Sequence, residues 1–131
     1  MSDAFDLGKT PVHLGLGATA SVQPAFTGMA WYADYAERTA ADGDEGRLVS
    51  MYTFTESWGS WEMHPRGHEL VVVTSGKLVL VQERDGAEVR TTLGVGEAAI
   101  NPPGVWHTAD VLEPTTALFI TAGAGTEHRS R

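Results

Sequence analysis

From Arg47 onward, hydrophobic positions recur in short alternating or fully apolar runs with turn residues between them. That texture predicts an antiparallel sandwich or barrel. Strands are expected near 47–55, 59–64, 69–75, 77–84, 87–93, 97–101, 105–112 and 115–122. Ser75-Gly76-Lys77 and Asp85-Gly86 read as tight hairpin turns, with glycine supplying the positive φ they need. Two runs, Leu70-Val71-Val72-Val73 and Leu78-Val79-Leu80-Val81, are apolar on both faces. A half-buried strand would alternate with polar residues, so the second face calls for a cover: the N-terminal arm, a second sheet or another subunit. A homodimer is the expectation.

Before Arg47 the periodicity is weak. Residues 1–46 are expected to form an arm or lid packed on a barrel spanning 47–123, with 124–131 a flexible tail. Gly15-Leu16-Gly17-Ala18-Thr19-Ala20 reads as loop or arm, and its Gly-x-Gly is no dinucleotide fingerprint, because no apolar strand precedes it and no third glycine follows at the right place. Ala30 to Ala41 reads as a short helix or irregular lid, with Trp31 and Tyr35, and Asp34 and Arg38, one turn apart.

Length and composition narrow the function classes. A chain of 131 residues predicts one domain. Nine Lys and Arg against 17 Asp and Glu give a formal charge of −8, which argues against nucleic-acid and anionic-membrane partners. No apolar run approaches the ~20 residues of a membrane helix, and the N-terminus lacks a secretory pattern, so a cytoplasmic location is the default expectation. Cysteine is absent. Any metal must therefore be held by nitrogen and oxygen.

The candidate chemistry lies in two stretches: Trp61-Glu62-Met63-His64-Pro65-Arg66-Gly67-His68-Glu69, and Gly96 through Pro102-Pro103-Gly104-Val105-Trp106-His107. Strand parity sends Glu62 and His64 to one face. The Pro65-Arg66-Gly67 turn folds Glu69 towards His64, and His107 enters from across the barrel. Two imidazoles and a carboxylate with open positions suit non-haem Fe(II), and also Mn, Ni, Zn or Cu. The competing reading is two buried imidazoles hydrogen-bonded in a polar pocket, with Glu69 paired to another partner. Trp58 shares the parity of Glu62 and His64 and is a pocket candidate, as are Tyr52 and Phe54. Trp61, Met63 and Trp106 fall on the opposite face, expected to pack against the arm or a partner. His68 has the wrong parity for a ligand, and His13 and His128 receive no role. No nucleophilic Cys and no Gly-x-Ser-x-Gly elbow are present.

These stretches resemble the paired motifs of the cupin superfamily. Gly96, Pro102, Gly104 and His107 match the second motif, with Val111 in place of its final Asn. His64, Glu69 and Gly76 match the second His, the Glu and the last Gly of the first motif, while Glu62 and Glu56 replace its leading His and opening Gly. The resemblance spans about residues 47 to 122. It implies an all-β double-stranded β-helix, or jelly-roll, with His64, Glu69 and His107 as ligands of a divalent metal ion (Fe, Mn, Ni or Zn). Glu62 is then a fourth ligand, a general base, or the mark of a member without metal. The implied function is dioxygenase-, isomerase- or lyase-type chemistry on a small molecule; the alternative is a non-catalytic barrel binding a sugar or organic acid.

Overall fold

The computed structural model describes residues 3–131. Eleven strands, one α-helix and one short 3-10 segment make two antiparallel sheets. The strands are β1 (Val12–Gly15), β2 (Thr19–Val22), β3 (Arg47–Phe54), β4 (Ser60–Met63), β5 (Glu69–Ser75), β6 (Leu78–Arg84), β7 (Ala87–Leu93), β8 (Ala98–Asn101), β9 (His107–Val111), β10 (Thr115–Thr121) and β11 (Glu127–Ser130). The helix α1 covers Ala30–Arg38, and the 3-10 segment covers Ala40–Glu45 with a break at Gly43. One sheet runs β2-β1-β3-β10-β5-β8 and the other β11-β4-β9-β6-β7. This is the expected all-β jelly-roll.

Alternation decides which residues meet between the sheets. Val71 and Val73 of β5 and Ala117 and Phe119 of β10 face Leu78 and Leu80 of β6, Leu93 of β7, and Ala109 and Val111 of β9 in one buried cluster. On the other parity, Leu70, Val72 and Val79 stay half-buried, and Val81 is buried. Gly76 holds the β5–β6 turn at φ +82, and a Cβ there would lie 2.3 Å from the Pro114 carbonyl oxygen. Both facts exclude a side chain, since positive φ is costly and the gap is already filled.

Residues 3–46 contribute more strand than their texture suggests. Gly17 (φ 74) and Ala18 (φ 59) turn the chain between β1 and β2, so the stretch expected as loop is a hairpin. β1 then pairs with β3. His13, given no role from the sequence, is buried: Tyr35 Oη lies 2.6 Å from its Nδ1 and Asp42 Oδ2 2.6 Å from its Nε2. It ties β1 to α1 and to the 3-10 segment.

The C-terminal end also differs from the expected tail. Residues 127–130 form β11 and pair with β4, His128 opposite Glu62 and Arg129 opposite Trp61. The Arg129 guanidinium lies 5.1 Å from the Trp61 ring and 4.6 Å from the Trp106 ring, and its Nη2 pairs with Glu83. Cation–π contact thus covers the two outward tryptophans. Arg131 Nη1 donates to the carbonyls of Trp58 and Ala109, and its Nη2 pairs with Asp110. The chain's own last strand, rather than the arm, lies over Trp61 and Trp106. Among the described residues no helix is long and apolar enough to cross a membrane.

Candidate metal centre

His64 follows the last residue of β4, Glu69 opens β5 and His107 opens β9. The two stretches are joined by backbone: Gly104 N–H donates to the His64 carbonyl at 3.0 Å, and Glu62 pairs with His107 across β4 and β9. Gly67, in the turn between His64 and Glu69, packs against the end of β10; a Cβ there would meet Ala122 Cβ at 2.4 Å.

One donor atom from each of His64, Glu69 and His107 lies within 4.8 Å of the others, and all three residues are buried. His64 Nε2 is 3.2 Å from Glu69 Oε2, and His107 Nε2 is 3.3 Å from Glu69 Oε1. Both are ion-pair distances that fall outside hydrogen-bond geometry, and both Nε2 atoms are buried. The outer sides of the groups are all engaged. Thr126 Oγ1 donates to the Gly123 carbonyl at 2.7 Å and so is left to accept from His64 Nδ1 at 2.8 Å. His107 Nδ1 faces the Val105 carbonyl at 3.3 Å. Glu69 Oε1 accepts from Asn101 Nδ2 at 3.0 Å, and Oε2 from Thr121 Oγ1 at 2.7 Å. Asn101 Oδ1 in turn accepts from Gln82 Nε2 at 2.6 Å.

This wiring fixes the chemistry. An imidazole whose Nδ1–H is donated to a fixed acceptor presents a bare lone pair at Nε2. Two such lone pairs and a carboxylate converge in a buried space, an arrangement that repels itself unless a cation or protons sit between. The donor set fits a divalent metal, and outer partners of this kind hold metal-ligating histidines and carboxylates in orientation. Without an ion, protons compensate. Burial opposes charge on His64, but the Glu69 and Glu62 carboxylates outweigh it and raise its pKa above the ordinary histidine value. Burial would raise Glu69, yet His107 and His64 hold its carboxyl far below the usual carboxylate range.

The other candidate site residues from the sequence, Glu62 and the three aromatics, line one cavity of about 890 Å³ that opens onto His64 and Glu69. Glu62 lies on its wall but outside the three-residue cluster, with Oε2 3.4 Å from His128 Nε2. Trp58, Tyr52 and Phe54 line it as well. Trp58 packs edge-on to His107, ring centroids 6.3 Å apart. The Tyr52 and Tyr32 hydroxyls are 2.7 Å apart, linking β3 to α1 along the wall. Burial pushes both phenols up, Tyr32 the further, with the Glu62 charge adding to the effect. His68 stays out of the site: its carbonyl accepts from Ala122 N–H, and its side chain is exposed.

Sequence reading did not single out Asn101, Thr121, Thr126 or His128. Asn101 had a local signal, since it begins the Asn-Pro-Pro-Gly turn that delivers His107. The other three come from the ends of β10 and β11, and only sheet pairing places them here.

The two stretches and the jelly-roll geometry agree with a family comparison: a cupin-domain model matches residues 53–123. The chain belongs to the cupin family. Comparison with curated protein sequences gives no match. Among solved structures, this cupin is similar to a double-stranded β-helix protein from Klebsiella pneumoniae, with 24% identity, TM-score 0.53, and coverage of 65% of this chain and 76% of the other. A cupin-2 domain protein from Shewanella frigidimarina matches at 24% identity and TM-score 0.50, covering 57% of this chain and 69% of the other. An oxalate oxidase matches at 17% identity and TM-score 0.52, covering 61% and 44%. Several such matches span less than two thirds of the other chain's length. At these identities the likeness concerns the fold.

Proposed function

We propose that this cupin holds a divalent first-row metal (Fe, Mn, Ni or Zn) through His64, Glu69 and His107, and acts on a small organic molecule bound in the adjoining cavity. The observation that carries the reading is the pair of buried Nε2 atoms without hydrogen-bonding partners, both aimed at the Glu69 carboxylate. A metal bound there supplies Lewis-acid or redox chemistry to a ligand placed beside it. The chain's own groups do the rest. Thr126, Asn101 and Thr121 fix the donor atoms, the aromatic wall excludes water, and Glu62 accepts or holds a proton on the bound molecule. The reaction class is that of a dioxygenase, isomerase or lyase. One solved structure similar in fold is an oxalate oxidase, which supports an enzymatic activity as analogy only.

A second reading has one observation in its favour: Glu62 stands in the position of a motif histidine and its carboxylate faces His128 rather than the three-residue cluster. On that reading the barrel binds its ligand without turnover. Thermal unfolding with and without EDTA separates the two. Wild type loses stability on chelation and regains it with added metal, whereas a His64→Ala, His107→Ala variant responds to neither. A wild type indifferent to both leaves the ligand-binding barrel. We also take a second copy of the chain as the cover for the half-buried Leu70, Val72 and Val79 face, a homodimer that light scattering on the purified protein tests.

A further inference from the structure

The walls of the cavity say what kind of molecule it takes, and this step rests on the metal-centre reading above. Aromatic residues line it, Phe26, Tyr32, Tyr52, Phe54, Trp58 and Phe119 among them. They form a connected set, with Phe26–Tyr52 ring centroids 5.5 Å apart, Phe54–Trp58 5.5 Å and Trp58–Phe119 6.1 Å. Flat apolar faces of this sort hold rings better than short polar acids. Among the described residues that line the cavity there is no Lys or Arg, whereas Asp44, Glu62 and Glu69 are all present. Asp44 is offset by Arg66 at 3.3 Å. Glu62, which faces the His128 imidazole at 3.4 Å, and Glu69 remain, and one divalent cation balances those two carboxylates. A negatively charged ligand therefore meets no net attraction and lies beside the Glu62 carboxylate. Lastly, the indole N–H of Trp58 is buried without a partner, a donor lacking an acceptor in a residue of the cavity wall.

We infer that this cupin's ligand is an aryl compound, uncharged or cationic, carrying a hydroxyl or similar group that accepts from Trp58, and not a small carboxylic acid. The stacked wall binds the ring, the Trp58 N–H orients the polar group, and Glu62 rejects anions while accepting from a donor on the ligand.

Isothermal titration of the zinc-loaded chain with para-ethylphenol, tyramine, para-hydroxyphenylacetate and malonate tests this, with zinc content measured on the same samples. The two non-anionic aryl probes should bind about ten-fold or more tightly than para-hydroxyphenylacetate, because like charges placed side by side are strongly disfavoured. Malonate should bind weakest. Glu62→Gln should narrow the gap between tyramine and para-hydroxyphenylacetate, and Trp58→Phe should weaken para-ethylphenol by about five-fold, one lost hydrogen bond. Binding of malonate or para-hydroxyphenylacetate as tightly as para-ethylphenol, or no binding of any aryl probe, overturns the inference. If the aryl order holds on protein that retains no zinc, the ligand class stands and the metal centre fails. If zinc is retained and the order inverts, the reverse is true.

Discussion

Thr126 Oγ1 lies 2.8 Å from His64 Nδ1, and its own hydrogen is committed to the Gly123 carbonyl 2.7 Å away. The threonine can only accept from the imidazole, so it selects the tautomer that leaves His64 Nε2 bare beside Glu69. Replacing it should loosen the centre without touching a ligand. Thr126→Val should lower metal affinity by about ten-fold to a hundred-fold, the usual effect of losing such a partner, and Thr126→Ser should restore most of it. Competition against a chromogenic chelator reads the effect. Equal affinity in wild type and Thr126→Val would remove this residue from the account.

Glu69 tests the centre from the opposite side. It is 5% exposed and carries a charge that nothing but the two imidazoles and neutral donors meets. Glu69→Gln keeps shape and removes the charge. The metal-free variant should be less stable than metal-free wild type at neutral pH, since a carboxyl whose pKa is lowered on folding contributes stability in its charged form. It should gain nothing from metal, whereas wild type gains about 2.7 kcal/mol at a hundred-fold excess over Kd. Denaturant melts with and without metal show both.

The C-terminal strand is held from the side chain outward. Arg129 spans Trp61 and Trp106 and pairs with Glu83. Arg129→Ala should cost about 1–2 kcal/mol, a cation–π contribution on two rings with a partly exposed ion pair adding little. Amide exchange should accelerate along Glu127–Ser130 before it does so in β5 or β6. Uniform acceleration over all strands would contradict a local clamp.

Asp110 gives a pH-dependent term away from the centre. Burial works to raise its pKa, but Arg131, and then Arg90, outweigh that and hold it below the usual carboxylate value. Arg90 also faces Glu88 at 3.8 Å. A carboxyl depressed on folding adds stability above its unfolded pKa, about 3.9, and loses it as pH falls through the folded value. The stability difference between wild type and Asp110→Asn should be constant at neutral pH and shrink on acidification below about pH 4. A difference that grows in acid would reverse the sign.

The sequence texture reached most of the barrel and stopped at its ends. The strands from Arg47 to Thr121 announce themselves through β-branched runs such as Val71-Val72-Val73 and glycine turns such as Gly76, which obey local rules. Val12–Gly15 and Glu127–Ser130 do not: they are only four residues long, and they become strands because β3 and β4 offer them an edge. His13 and His128 were passed over for the same reason. His64, Glu69 and His107 were legible because the Pro65-Arg66-Gly67 and Pro102-Pro103-Gly104 turns flank them. Their outer partners Thr121 and Thr126 sit more than fifty residues away from Glu69 and His64 along the chain, where only tertiary structure brings them close.

The central claim is that one cation belongs between the two Nε2 atoms and the Glu69 carboxylate. Anomalous diffraction from crystals of protein purified without added metal, collected across the Mn, Fe, Ni and Zn edges, tests it most directly. The account predicts one peak about 2.0–2.2 Å from His64 Nε2, His107 Nε2 and a Glu69 oxygen. A site holding only water or protons at full protein occupancy, with no anomalous signal before or after soaking in metal, would contradict it.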